Sequence, residues 1–432
     1  MERKIDNQLL QWKNSNNRKP LLLKGARQVG KTWSLLNFGK NYYKNILYIN
    51  LESNKELQAV FERNLDPGRI INELSAFTGQ TVLKSETLVI FDEIQSCERA
   101  MTSLKYFQEE APGYHLAAAG SLLGVAVNRE KYSFPVGKID FLSMYPLDFE
   151  EFMRAMGHSK SIGIIDECFQ NNLACSLHET YLDIYYKFLQ TGGMPEVVRT
   201  WAETGDHNKI LISQQSINDA YIADMAKYAT PSETVRIMAV FNSIPAQLAK
   251  ENRKFQYQTI KSGARAAQFE TAIDWLDAAG IITKCIKVSS GIFPMTAWKE
   301  PDYFKVYMND TGLLGAKFGL PPSAFYREIA GYEQVKGALT ENYVAGAFHT
   351  NGFETCYWES QGKAELDFVL QFRNGDVVPV EVKSSRNVRS KSLQQFVMKY
   401  HPGYSVRIST KNFGFENNIK SVPLYAVWCI KP

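Results

Sequence analysis

The stretch Gly25 to Thr32, GARQVGKT, fits G-x-x-x-x-G-K-[ST], a spacing whose chemistry is phosphate binding. Gly25 and Gly30 carry no Cβ, so the backbone can turn tightly and present successive N–H groups to phosphate oxygens. A helix expected to start near Lys31 adds the positive end of its dipole. Lys31 would reach the β- and γ-phosphates, and the Thr32 hydroxyl would ligate Mg²⁺. The nucleotide-binding set is therefore Gly25, Ala26, Arg27, Gln28, Val29, Gly30, Lys31, Thr32 and Trp33. Further along, the apolar run Leu88 to Phe91 ends in Asp92 and Glu93. A buried strand that ends in two acids places one to hold Mg²⁺, Asp92, and one to polarise an attacking water as general base, Glu93. A third run, YHLAAAGS, leads to Ser121, whose hydroxyl either contacts the γ-phosphate or the water, or caps the next helix.

The last hundred residues hold a second group of chemical side chains. GALTENYVAGAF contains Glu341, AELDFVLQF contains Asp367, and VVPVEVKSS places Glu381 and Lys383 two positions apart. Strand residues two apart share a face, so Glu381 and Lys383 would both point toward Asp367 on a neighbouring strand. Such a group would bind a second Mg²⁺, with Lys383 acting on water or phosphate, or it would be an exposed ion pair. The tract KSSRNVRSK that follows suits a phosphate backbone.

Positioning the first group requires strand, loop, helix. Leu21 to Leu23 supply the strand, and TWSLLNFG carries apolar residues at helical spacing before a glycine stop. NILYINLE adds another parallel strand, so the expected fold is α/β, a doubly wound sheet with ligand at the strands' C-terminal ends. After EEFMRAMGHS the pattern turns helical. VRIMAVFNSIPAQLAKE and ARAAQFETAIDWLDAAGII read as helices, the second with Ala266, Phe269, Ile273 and Leu276 on one face and Gly280 as its stop. ITKCIKV and YFKVYMND follow as strands, an order similar to a winged helix, which reads DNA or serves as plain packing. The expected divisions are residues 1–157 for the P-loop domain, 158–228 for a helical lid or linker, 229–310 for a winged-helix-like region and 311–432 for a C-terminal α/β domain.

Composition sets the bounds. The 432 residues exceed one core, and 45% hydrophobic with 22% charged residues describe a globular chain. The six cysteines show no C-x-x-C spacing and the six histidines no H-E-x-x-H, which argues against a disulfide framework or a zinc site. LAAAGSLLGVAV is too short to cross a bilayer, and MERKIDNQLLQWK has charges where a signal peptide needs an apolar core. A cytoplasmic location with no membrane partner is the expectation. A formal charge of +4 permits a nucleic-acid partner without arguing for one.

The segments KGARQVGKTW, VIFDEIQ, AAAGSLLG, LSMYPLDFEEFM and TGGMPEVV, spread over residues 18 to 198, resemble a family of prokaryotic AAA-type P-loop ATPases with a second, C-terminal domain. The resemblance implies that Lys31 and Thr32 bind ATP and Mg²⁺, that Asp92 and Glu93 form the acidic pair, and that Ser121 takes a sensor position. Catalysis would then rest on Glu93, Lys31 and Ser121. The chain departs from the family in FPVGKIDF, where Lys138 stands in place of an expected arginine and lacks its planar fork; Arg129 is a weaker substitute. Residues 337 to 409 resemble the PD-(D/E)XK nuclease core, with Glu341 and Gln394 or Gln395 as accessory positions. The implied function is ATP hydrolysis acting on a macromolecular client, DNA or RNA or a protein, with a homo-oligomer among the arrangements left open. An ATP-gated nuclease and a non-hydrolysing nucleotide switch or interaction scaffold are the alternatives.

Overall fold

The computed structural model describes residues 1–121, 137–250, 253–325, 332–360, 364–385 and 391–432. The chain divides into two compact units, Met1–Tyr145 with Ala278–Gly280, and Pro146–Asp277 with Ile281–Pro432. The main segment of the first unit therefore runs to Tyr145, where 157 was expected, and Ala278–Gly280 joins it. The helix Phe149–Ala155 belongs to the second unit because Phe149 and Phe152 pack edge-on to Phe188, with ring centres 5.6 and 5.1 Å apart.

Unit 1 is built on β1 (Leu21–Lys24), β2 (Asn45–Asn50), β3 (Thr87–Asp92), β4 (His115–Gly120) and β5 (Asp140–Ser143). Among the described residues these form one parallel sheet in the order β2-β3-β4-β1-β5. All six residues of β3 and of β4 are buried, as a parallel sheet covered on both faces by crossover helices demands. The apolar runs read in the sequence are thus the central strands. Phe91 shows the packing: it meets Phe61 and Phe107 edge to face at 5.5 and 6.2 Å. The sheet and its helices Lys31–Tyr42, Pro67–Thr78 and Glu98–Glu110 form an α/β layer structure. Because the strands are parallel, the residues that follow β1, β3 and β4 gather at one edge of the sheet.

Unit 2 opens with helices and closes on β6 (Ile282–Val288), β7 (Lys299–Met308), β8 (Cys356–Ser360), β9 (Ala364–Gln371), β10 (Val377–Val382), β11 (Ser405–Ser409), β12 (Gly414–Glu416) and β13 (Ile419–Pro423). They form one mixed sheet in the order β12-β13-β11-β10-β9-β8-β6-β7. The pair expected to belong to a separate winged-helix-like region is the end of this sheet: β6 pairs with β7 antiparallel on one side and with β8 parallel on the other. Pairing satisfies backbone groups that a free strand edge would leave open, so the expected boundary between 310 and 311 falls inside a continuous structure. The expected helices are present as Pro231–Leu248 and Ala266–Ala278, and in the latter Phe269, Ile273 and Leu276 are buried while Ala266 is exposed. Among the described residues no helix is long and apolar enough to cross a membrane.

Candidate functional site

The loop after β1 owes its shape to backbone positions that side chains tolerate poorly. Gly25 has φ +155°, and a Cβ there would lie 2.2 Å from the Met144 carbonyl oxygen. That approach is fixed by the Met144 N–H, which donates to the Lys24 carbonyl at 2.8 Å. Gly30, at φ +97°, caps the helix Lys31–Tyr42 in a left-handed conformation, and Gln28 also has positive φ. Ala26 and Val29 are buried and hold the loop down. Lys31 is buried, and its Nζ donates to the Gly25 and Ala26 carbonyls at 2.9 and 2.7 Å. The ammonium thus lies inside the cradle that the loop makes. Trp33 stands outside it, 49% exposed.

The acids arrive from β3. Asp92 is buried at the strand's last position, and its Oδ2 accepts from Thr32 Oγ1 at 2.8 Å and from Tyr48 OH at 2.9 Å. Its Oδ1 accepts from the Glu93 N–H at 3.1 Å. A hydroxyl and a carboxylate brought together this closely are hard oxygen donors of the kind Mg²⁺ takes alongside phosphate oxygens; Thr32 and Asp92 therefore fit that ion. The Tyr48 hydroxyl has its pKa raised, first by burial, with the Asp92 charge adding to it. Glu93 has left-handed φ of 50° and ψ of 44°, a conformation that costs a non-glycine residue on the order of 1–3 kcal/mol and tends to occur where function constrains the chain. Ser121 is buried immediately after β4. The structure accordingly brings Lys31, Thr32, Asp92, Glu93 and Ser121 to the same edge of the parallel sheet.

Sequence reasoning missed two members. Tyr48 sits on β2, in a run read only for its apolar residues. Gln95, two residues past Glu93, donates from Nε2 to Glu93 Oε2 at 2.5 Å and lies 3.5 Å from Ser121 Oγ; its proximity to the acids in DEIQ was the available signal. Of the cationic candidates, Lys138 is engaged with Glu109 at 2.9 Å, and Arg129 lies outside the described residues.

The second group, in unit 2, is assembled differently from the expectation. Asp367 Oδ2 accepts from the Val382 N–H at 2.7 Å, and Lys383 Nζ meets Glu381 Oε1 at 2.6 Å. Lys383 has its pKa shifted upward: burial opposes the charge, but Asp367 and Glu381 together outweigh it. These three residues do converge. Glu341 does not join them as a metal ligand, because it is buried in an ion-pair network: Arg253 and Tyr307 bond to it, and Lys305 sits 3.1 Å away while also holding Glu365 at 2.6 Å. Among the described residues there is no group of three or more His, Cys, Asp or Glu that could hold a metal ion, and Glu341 stands apart from Asp367 and Glu381 for a physical reason. Arg253 and Lys305 come from segments remote in sequence and neutralise the charge that a metal was expected to neutralise. Gln394 and Gln395 fall on the helix Lys391–Tyr400.

The TGG motif has a structural role in the same unit. The Gly193 N–H donates to Asp310 Oδ2 at 2.6 Å, and a Cβ on Gly193 would lie 1.9 Å from the Leu147 carbonyl oxygen. Asp310 also caps the helix Thr311–Lys317, and burial raises its pKa to about 6.

Residues 17–153 match the family described as AAA domain. Residues 182–324 and 336–427 match two families described as domains of unknown function, DUF8612 and DUF4143. No curated protein sequence matches the chain. Among solved structures, the chain is similar to the Walker-type ATPase PABY2304 of Pyrococcus abyssi, at 15% identity and a TM-score of 0.47, covering 73% of this chain and 95% of that one. It is also similar to the Aeropyrum pernix ORC1 protein in complex with DNA, at 12% identity and a TM-score of 0.29, covering 75% and 92%. A third likeness is to the replication initiator DnaA bound to AMPPCP and single-stranded DNA, at 14% identity and a TM-score of 0.30, covering 64% and 87%. The AAA match coincides with the sheet, loop and acids of unit 1, which is an AAA-type P-loop domain.

Proposed function

We propose that this protein binds ATP with Mg²⁺ in unit 1, hydrolyses it there, and uses the cycle to act on a macromolecular client. The observation that carries this reading is the 2.8 Å contact between Thr32 Oγ1 and Asp92 Oδ2, with Lys31 in the adjoining loop. Loop N–H groups and Lys31 bind the triphosphate. Thr32 and Asp92 hold Mg²⁺, which when bound neutralises charge on the phosphate oxygens. Glu93 takes a proton from water as the water oxygen bonds to the γ-phosphorus. The bond from that phosphorus to the β,γ-bridging oxygen breaks, and ADP leaves with the electron pair. Ser121 contacts the γ-phosphate side of the site. With Lys138 tied to Glu109, the described residues of unit 1 offer no arginine-finger equivalent at that position, so turnover by the isolated chain is slow. A neighbouring copy or the client would supply the charge, a contribution of about 10³ to 10⁵ in rate. The tract KSSRNVRSK makes DNA the first client to test.

The test is ATP turnover by purified protein with and without Mg²⁺, DNA and RNA, alongside Glu93→Gln. That variant keeps ATP bound and slows hydrolysis by about 10²- to 10⁴-fold, the usual contribution of a general base. A folded Glu93→Gln protein that hydrolyses ATP at the normal rate refutes the assignment. A second reading, an ATP-gated nuclease, draws on the convergence of Asp367, Glu381 and Lys383. The sequestration of Glu341 weighs against it.

A further inference from the structure

After β3 the chain VIFDEIQS does not run straight on. Glu93 turns left-handed, and Ile94–Ser96 form a single 3₁₀ turn that Ile94, fully buried, anchors in the core. This turn carries Gln95 back toward Glu93. One side-chain amide group then lies against both reactive strand ends, because Nε2 donates to Glu93 Oε2 at 2.5 Å and reaches to 3.5 Å from Ser121 Oγ after β4. The other end of the amide, Oε1, is buried with no hydrogen-bond partner among the described residues. A buried acceptor left unmet is destabilising. An orphan of this kind beside Glu93 calls for a donor that arrives with substrate, and the attacking water is such a donor.

We infer that Gln95 is a positioning residue for hydrolysis: its Nε2 holds the Glu93 carboxylate in the orientation that receives the water proton, and its Oε1 faces the water. This inference rests on Glu93 being the general base. A carboxylate on two rotatable bonds beyond its Cβ samples orientations that face away from the γ-phosphorus, and one short hydrogen bond removes most of them. Misplacement of a reacting group by about 1 Å can cost 10²-fold in rate. Nothing in this role touches nucleotide affinity, which belongs to the loop, Lys31 and Thr32.

The test is a double-mutant cycle on the full chain. Gln95→Met keeps the length of the side chain and removes both polar atoms; Gln95→Glu keeps an acceptor and removes the donor. Each lowers kcat on the order of 10- to 100-fold, while for Gln95→Met the KM, and the ATP and ADP affinities read by titration with a labelled nucleotide, stay within about twofold of the parent. In the Glu93→Gln background Gln95→Met has no further effect, since there is no base left to orient; residues acting as a unit are non-additive in this way. A purely structural role would give the same loss in both backgrounds and would shift affinity as well. If Glu93→Gln hydrolyses at the normal rate, the general-base reading fails and this inference with it. If Glu93→Gln is slow but Gln95→Met turns over normally, or its cost adds in full to that of Glu93→Gln, the positioning role alone is overturned.

Discussion

Replacing Lys31 separates binding from folding. Its Nζ donates to two loop carbonyls, those of Gly25 and Ala26. Removing the ammonium leaves those part-buried and buried carbonyls short of a donor, so the loss to stability is on the order of 1–3 kcal/mol. In the nucleotide complex the same ammonium meets phosphate oxygens, and a hydrogen bond to a charged group contributes about 1.5–3 kcal/mol. Lys31→Ala should therefore weaken ATP affinity by roughly 10- to 100-fold, at 1.4 kcal/mol per factor of ten. Two assays read this. Titration with a fluorescently labelled ATP analogue reads occupation of the loop directly. Thermal unfolding gives an independent measure: ATP at 100 times its Kd stabilises the parent by about 2.7 kcal/mol, and a 100-fold loss of affinity cuts that to roughly 0.4 kcal/mol. For a unit of this size each kcal/mol corresponds to about 2–4 °C, so most of the ligand-induced rise in Tm disappears. A folded Lys31→Ala protein with unchanged fluorescence titration and an unchanged Tm rise would show that the loop does not hold the triphosphate.

Two further perturbations address stability. Glu341→Ala leaves Arg253 without the carboxylate it bonds and Lys305 with Glu365 alone, so unit 2 should lose about 3–5 kcal/mol. Mg²⁺ or Mn²⁺ should leave its melting unchanged, and a metal-dependent rise in Tm that Glu381→Ala abolishes would restore the metal-site reading. In unit 1, His115 is buried on β4 beside the Tyr43 hydroxyl. Burial first, then Arg18 and Lys13, lowers its pKa to about 4. The unfolded chain takes up that proton below about 6.5 and the folded chain does not until about 4, so this contribution to stability is present above pH 6.5 and is lost as pH falls toward 4. Chemical denaturation of the parent and of His115→Gln at several pH values checks it, the variant showing a shallower decline in that window.

What the sequence disclosed depended on whether a residue's partners were its neighbours in the chain. Gly25, Lys31 and Thr32 lie within eight residues of each other, and the loop's chemistry is stated in its spacing. Asp92 and Glu93 were legible because a run of four apolar residues fixes a buried strand and so fixes where its acids emerge. Tyr48 was not, because its pairing with Asp92 depends on β2 lying beside β3, a matter of strand order that no local pattern states. Glu341 illustrates the same limit with the opposite outcome. Its position on a helix before an acid-bearing hairpin suggested a metal, and the two cations that claim it, Arg253 and Lys305, are about ninety and thirty-six positions earlier. The winged-helix expectation failed to foresee β8 for this reason too, since helix, helix and strand pair read alike whether the pair ends a fold or extends a larger sheet.

The two groups of acids in this chain also differ in how their charge is balanced. At the ends of β1 and β3, Asp92 is met by hydroxyls from Thr32 and Tyr48 and by a backbone N–H. These are neutral donors, which orient a carboxylate and leave its charge available to a cation. In unit 2, Glu341 is met by Arg253 and Lys305, and Glu381 by Lys383. Those partners balance the charge, and a metal ion at Glu341 would have to compete with them and leave the buried Lys305 with Glu365 alone. The proposed Mg²⁺-nucleotide site has the first arrangement, which lets an ion enter without displacing a cation. The second gives a fixed network that ties the helix Tyr332–Thr350 to β7 through Glu341 and Lys305.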